Sequence, residues 1–212
     1  SQQDQLAYNS HQNAANAYAD GFMDDLIVEF AGVKKDNNLR EDSTLEKLAK
    51  LRAAFERSEK GTLTAANSTP LTDGAASVLL CSEEYAKKNN LEVQAYLSFS
   101  QAAAVDFVND EGLLMAPAYA VAKMLKKAGL TLQDFDFYEI HEAFAAQVLC
   151  TLKAWEDDIF CREKLNLDSA LGSIDMSKLN VKGSSLAFGH PFAATGARIL
   201  AQASKLVKEN GG

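Results

Sequence analysis

The chain has 212 residues, 47% of them hydrophobic and 24% charged, with a formal net charge of −8. This is a globular composition. The acidic balance argues against a nucleic-acid partner, which needs a basic face, and no run of eighteen apolar residues reads as a membrane span.

Three cysteines, Cys81, Cys150 and Cys161, form no CxxC pair and no metal-ligand spacing, so no metal is expected. An odd, sparse set of thiols suggests a reducing compartment.

In chain order, Gln2 to Asp20 is rich in Ala and Gln and is followed by Gly21, which predicts a helix with a glycine stop. Leu26 to Phe30 reads as a short strand. A charged loop, Lys34 to Asp42, leads to the capping box Ser43-Thr44-Leu45-Glu46 and a helix through Phe55. Glu56 to Gly74 is a polar, turn-rich loop of small side chains suited to approaching a ligand. Ala75 to Cys81 reads as a buried turn and strand, Ser82 caps a helix to Asn89, and Val93 to Phe99 is a strand. Ala116 to Ala128 predicts a helix ended by Gly129. Phe135 to Ile140 predicts a strand and Glu142 to Trp155 a helix. Glu156 to Asn180 reads as a charged surface excursion, Ser185 to Phe188 as a strand, and Pro191 to Glu209 as the last helix before Gly211-Gly212. Alternating strands and helices in the second half point to layered α/β packing. The start at Ser1 and the stop after a helix both read as cuts from a longer protein.

Three motifs can carry chemistry. In Gly189-His190-Pro191-Phe192-Ala193-Ala194-Thr195-Gly196-Ala197-Arg198, a tight turn presents one histidine before a helix of very small residues. Pro191 suits a first helical position, and a helix N-terminus favours developing negative charge. His190 is thus placed as a catalytic base beside an anion hole, or is simply a helix-starting histidine satisfied by backbone. His141-Glu142-Ala143-Phe144-Ala145 lies at a strand-to-helix junction, where sites of α/β proteins collect; His141 either orients a water or donor there or caps the helix. Gly61 to Ala76 is the third motif, or else a plain turn.

These three segments, in this order, resemble the thiolases. The family pattern GHPxGATGxR is similar to Gly189–Arg198, with Ala193 where glycine is usual. NEAFA is similar to His141–Ala145, and GTxTAGNxSxxxDGAA to Gly61–Ala76, with Ala66 and Thr69 as departures. The resemblance implies a layered αβαβα fold, incomplete here. Residues 1–69 would be the remnant of a CoA-covering loop domain, 70–94 the last piece of the N-terminal half, and 95–212 a truncated C-terminal half. Histidine in place of asparagine at His141, with the Glu156–Asn180 excursion, resembles the thiolase subunits of fatty-acid β-oxidation complexes. That tilts the expectation toward 3-ketoacyl-CoA rather than short-chain acetoacetyl-CoA substrates.

The resemblance further implies an acyltransferase that cleaves 3-ketoacyl-CoA with CoA, without a bound cofactor. His190 would serve as base, and His141 would hold a water in the oxyanion hole. The family's two reactive cysteines belong to segments before Ser1 and after Gly212, and none of the three thiols here has their glycine-rich context, so this fragment by itself is expected to be inactive. Arg40 would lie at the adenine end of CoA, Phe55 near the pantetheine arm, Ala65, Ala66 and Thr69 along it, and Ala143 and Phe144 near the thioester. Expected partners are a homodimer or tetramer and a hydratase–dehydrogenase subunit; the expected location is cytoplasmic, or the mitochondrial matrix in a eukaryote. Two other readings are a non-catalytic acyl-CoA or lipid carrier with the same fold and a related condensing synthase.

Overall fold

The structure is a computed structural model describing residues 1–109 and 111–211; Gly212, the last residue of the predicted glycine stop, lies outside them. Eight α-helices are described: α1 Gln2–Ala19, α2 Leu45–Leu48, α3 Glu83–Lys88, α4 Ala116–Ala128, α5 Ala145–Glu156, α6 Asp158–Glu163, α7 Ser185–Phe188 and α8 Thr195–Asn210. The capping chemistry explains several boundaries. Ser1 and Asp4 form a reciprocal capping box on α1. Ser82 accepts from the Tyr85 amide at the start of α3, and Gly129 ends α4 in the left-handed conformation.

Other boundaries differ from those read in the sequence. Thr44, not Ser43, caps α2, and that helix closes after one turn. The chain then folds back, and the Ala54 amide donates to the Leu63 carbonyl, so Phe55 is not helical. Helix α5 begins at Ala145 because the preceding residues are held extended against Ser68. Helix α8 begins at Thr195, four residues after Pro191, because Ala193 turns through a left-handed φ of 67°.

The five predicted strands are the main correction. Ser185–Phe188 is a helical turn, α7; a four-residue apolar run fits either periodicity. Leu26 to Phe30 forms a turn with one bridge, Phe30 to Val33, and Phe135 to Ile140 forms one parallel bridge, Tyr138 to Leu179. Ala75–Cys81 and Val93–Phe99 run without ladder partners among the described residues, and both are largely exposed rather than buried. A strand exists only where a second chain segment accepts its hydrogen bonds.

Two apolar clusters hold the molecule together. One joins α1, α4, α5 and α7 through Leu6, Leu125, Val148, Leu152, Trp155 and Leu186. The other joins α1 to α8 through Ala14, Ala17, Phe22, Met23, Phe188 and Leu206. The predicted surface excursion contributes to the interior: Cys161 on α6, Ile174 and Leu179 are buried. Lys205 of α8 donates to the Phe22 carbonyl at 2.6 Å and to Asp25 at 2.5 Å, fixing that helix against the turn after α1. Gly183 lets the chain pass flush against α1, since a Cβ there would lie 2.6 Å from the Ala14 methyl and its φ is +81°.

Candidate functional site

The chain turns that carry the three motifs meet at one corner. Residues 67–71 act as the clasp. The Ala145 amide donates to the Asn67 carbonyl at 2.9 Å, the Thr69 amide to the Ala143 carbonyl at 3.0 Å, and the His190 amide to the Pro70 carbonyl at 3.2 Å. The Thr69 hydroxyl donates to the Ser185 carbonyl at 2.7 Å. Gly189 sits against Thr72, where a Cβ would come within 2.5 Å of the threonine methyl, with φ at +89°. That close approach selects glycine there.

The clasp brings His141 and His190 together, with ring centroids 4.1 Å apart and a tilt of 42°. The Phe192 ring also packs on His190, with centroids 4.8 Å apart. His190 Nδ1 lies 2.7 Å from the Thr195 hydroxyl, whose oxygen is 3.4 Å from the Pro191 carbonyl. That carbonyl gives the threonine hydrogen an acceptor, so Thr195 can take the proton-bearing Nδ1 and leave the Nε2 lone pair of His190 free. His141 Nδ1 lies 2.7 Å from the Ser185 hydroxyl.

The surroundings disfavour the protonated form of both imidazoles. Burial lowers the His190 pKa and the Arg198 guanidinium lowers it further. Burial, then the neighbouring His190 and Arg198, depress His141 to about 4. Arg198 reaches this corner from α8, donating to the hydroxyls of Ser184 and Ser185 at 3.2 and 3.1 Å, with its guanidinium 5.4 Å from the Phe188 ring.

Behind His141, Glu142 is fully buried. Its carboxylate accepts from the Ser10 hydroxyl at 2.7 Å, the Asn180 amide at 2.8 Å and the Leu186 backbone at 3.0 Å. Burial raises its pKa, and those three donors together with the Arg198 charge oppose the rise. Asn180 donates to the Ile140 carbonyl and accepts from the Ile140 amide, replacing with its side chain the strand partner that Ile140 lacks. Glu142, Asn180, Thr195, Ser185 and Arg198 were given no role in the sequence reading. Glu142, Thr195 and Arg198 stood inside recognised motifs, Asn180 and Ser185 outside them, and the partners of Glu142 lie 38 to 132 residues away in sequence.

The remaining predicted residues are dispersed. Phe55 is 65% exposed and meets the Phe144 ring edge-on at 5.7 Å, so this pair does converge beside the clasp. Ala143 and Phe144 flank His141 in sequence and in the clasp. Ala66 packs half-buried on the first core cluster, while Ala65 is exposed. Arg40 is exposed on its loop, its guanidinium donating to the Asn37 and Leu39 carbonyls and its amide to His11. None of the three thiols belongs to the histidine corner. Cys81 is exposed, Cys161 donates to the Ala154 carbonyl, and Cys150 lines a groove of about 1070 Å³ between α1 and α5 whose walls include Ser10 and Glu142 but neither histidine.

Two histidines paired at the junction of three small-residue turns define the candidate site. The chain belongs to the thiolase family: the thiolase N-terminal domain model matches residues 1–84 and the thiolase C-terminal domain model residues 91–212. It is 48% identical to the 3-ketoacyl-CoA thiolases of Yersinia enterocolitica and Yersinia pestis over 99% of its length, which is 49% of theirs. Human mitochondrial 3-ketoacyl-CoA thiolase superposes with a TM-score of 0.78 at 30% identity, over 100% of this chain and 50% of that one. The acetyl-CoA acetyltransferase of Bacillus anthracis superposes with a TM-score of 0.77 at 36% identity, over 99% and 50%. The chain therefore spans about half the length of the curated relatives it matches, and its fold is part of the thiolase fold. No helix among the described residues is long and apolar enough to cross a membrane.

Proposed function

We propose that this chain supplies the histidine half of a 3-ketoacyl-CoA thiolase site, which transfers the acyl group of a 3-ketoacyl-CoA to CoA. The observation that carries the reading is the 4.1 Å pairing of the His141 and His190 rings, with His190 Nδ1 engaged at 2.7 Å by the Thr195 hydroxyl. In the reaction, Nε2 of His190 takes the proton of a cysteine thiol, and the thiolate attacks the 3-keto carbon. The bond between C2 and C3 breaks, its electron pair leaves as the acetyl-CoA enolate, and a proton returns to that carbon. The thiol of CoA then attacks the acyl-enzyme, releasing the shortened acyl-CoA and the cysteine. His141, through a water, and His190 stabilise the oxyanion.

The same reading assigns Phe55, Ala65, Ala66 and Thr69 to the pantetheine arm, Ala143 and Phe144 to the thioester end and Arg40 to the adenine end. Human mitochondrial 3-ketoacyl-CoA thiolase in complex with CoA superposes with a TM-score of 0.77 at 29% identity, over 99% of this chain and 48% of that one. The division at 1–69, 70–94 and 95–212, assembly as a dimer or tetramer, and fatty-acid β-oxidation as the setting belong to this proposal.

The test is thiolysis of a 3-ketoacyl-CoA by the protein produced from its gene. His190→Ala should lower turnover at least about 100-fold, the usual worth of a general base; unchanged turnover removes His190 from the mechanism. A second reading, a non-catalytic acyl-CoA carrier, is favoured by the separation of Cys81, Cys150 and Cys161 from the histidine corner. Saturable CoA binding without thiolysis in the same assay would select it.

A further inference from the structure

Two imidazoles in contact do the same chemistry unless something distinguishes them. The second partner of each hydroxyl does so here. Ser185 is completely buried, and its oxygen has two neighbours, Nη2 of Arg198 at 3.1 Å and Nδ1 of His141 at 2.7 Å. Arginine only donates, so it occupies a lone pair of the serine oxygen. The serine hydrogen is then left with one acceptor among the described residues, the lone pair on His141 Nδ1. Were Nδ1 to carry the proton instead, two donors would face the serine oxygen and a buried hydroxyl hydrogen would have no acceptor.

We propose that Arg198 and Ser185 are positioning residues that fix His141 as the Nε2–H tautomer, making it a hydrogen-bond donor beside His190, whose Nε2 accepts. Arg198 reads out its own charge-bearing fork into the tautomer of a ring it does not touch. The guanidinium is held in that attitude by a second bond to the Ser184 hydroxyl at 3.2 Å and by the face of the Phe188 ring. The Ser184 hydroxyl in turn donates to the Ile140 carbonyl at 3.2 Å, so its orientation is fixed as well. The buried carboxyl group of Glu142 and the carboxyl group of Glu139, which accepts from Gln202 at 2.8 Å, supply the negative charge that lets an arginine stand here. An unsatisfied buried hydroxyl is penalised enough to favour the Nε2–H form at least about fivefold.

The inference gives the site its polarity and rests on the proposed thiolase reading only for what that polarity is used for. Imidazole ¹⁵N spectra of the unmodified chain near pH 7 test it without any turnover. His141 should show a pyridine-like Nδ1 and a pyrrole-like Nε2; a pyrrole-like Nδ1 overturns the proposal. Ser185→Ala should move the two His141 shifts toward each other, to the values of a freely exchanging imidazole, and Ser185→Thr should restore the full separation. Arg198→Lys should partly collapse them, because the shorter lysine lacks the planar fork that packs on Phe188 and aims Nη2 at both hydroxyls. A folded Ser185→Ala chain that keeps the original pattern also overturns the proposal, whereas a merely structural serine would leave the ¹⁵N pattern unmoved. Failure of the thiolysis assay alongside the expected spectra would sink the acyl-transfer reading and leave the tautomer assignment standing.

Discussion

The histidine corner and the stretch from Ala75 to Asn109 are both mostly extended chain, yet one is ordered by dense bonding and the other lies open. At the corner, each extended residue is answered: Tyr138 by Lys178 and Asn180, Ile140 by the Asn180 amide, Ala145 by Asn67, His190 by Pro70. In the open stretch, Leu79, Tyr96 and Leu97 are 74%, 68% and 62% exposed, although their residue types are those of a core strand. The difference lies in the partner, since β-propensity expresses itself only against a second surface. The corner obtains that surface from side-chain amides, carboxylates and turns, and it keeps its geometry without a sheet.

The comparison breaks first at Glu142. Glu142→Ala strands the Ser10 hydroxyl, the Asn180 amide and the Leu186 N–H and leaves a cavity. The expected cost is about 3–5 kcal/mol in urea unfolding. A loss below about 1 kcal/mol would mean the corner is not held by this carboxylate.

Next in size is a pH effect. His11 is buried, and its Nδ1 accepts from the Arg40 amide at 3.2 Å, a bond that protonation destroys. Burial, then the charge of Arg40, lowers its pKa to about 4. The unfolded chain binds that proton near 6.5, so His11 contributes stability at pH 7 that is lost as pH falls from 6.5 through 4. Glu139, raised to about 7 by burial, acts in the opposite sense and gains stability over the upper part of that range. Comparing the chain with its His11→Gln form therefore isolates the histidine. The drop in unfolding free energy between pH 7 and pH 4 should shrink by on the order of 3 kcal/mol. Equal drops in both forms would show that His11 is not held neutral.

The same contrast explains what could be read in advance. The histidine turns were legible because Gly189, Pro191 and the small residues around them restrict the backbone locally. Helices α1, α3 and α4 were legible from composition and from stops or caps at Gly21, Ser82 and Gly129. The network behind the histidines was not, because Glu142 looks like an ordinary first-turn acid until Ser10 is brought to it from 132 residues away. The strands failed for the complementary reason: alternation and apolar runs report a preference, and the preference of Val93–Phe99 meets no ladder among the described residues. Ala193, recognised only as a departure from glycine, turns out to hold a φ of 67°, a conformation costing a residue with a Cβ about 1 kcal/mol.

The smallest effect belongs to the open stretch. Leu97→Lys places a charge on a side chain already 62% exposed, so it removes little buried area and should leave the free energy of urea unfolding within about 0.5 kcal/mol of the parent. Leu186, 3% exposed behind the histidines, gives the counterpoint, because Leu186→Ala should cost about 2–5 kcal/mol. An extended apolar segment with free N–H and C=O groups is also a template for pairing with another chain, and lysine at such an edge discourages it. Leu97→Lys should therefore lower concentration-dependent light scattering while leaving the unfolding midpoint alone. A stability loss above about 1 kcal/mol that grows with protein concentration would instead place Leu97 inside an interface, and the open stretch would join the corner as chain that has found its second surface.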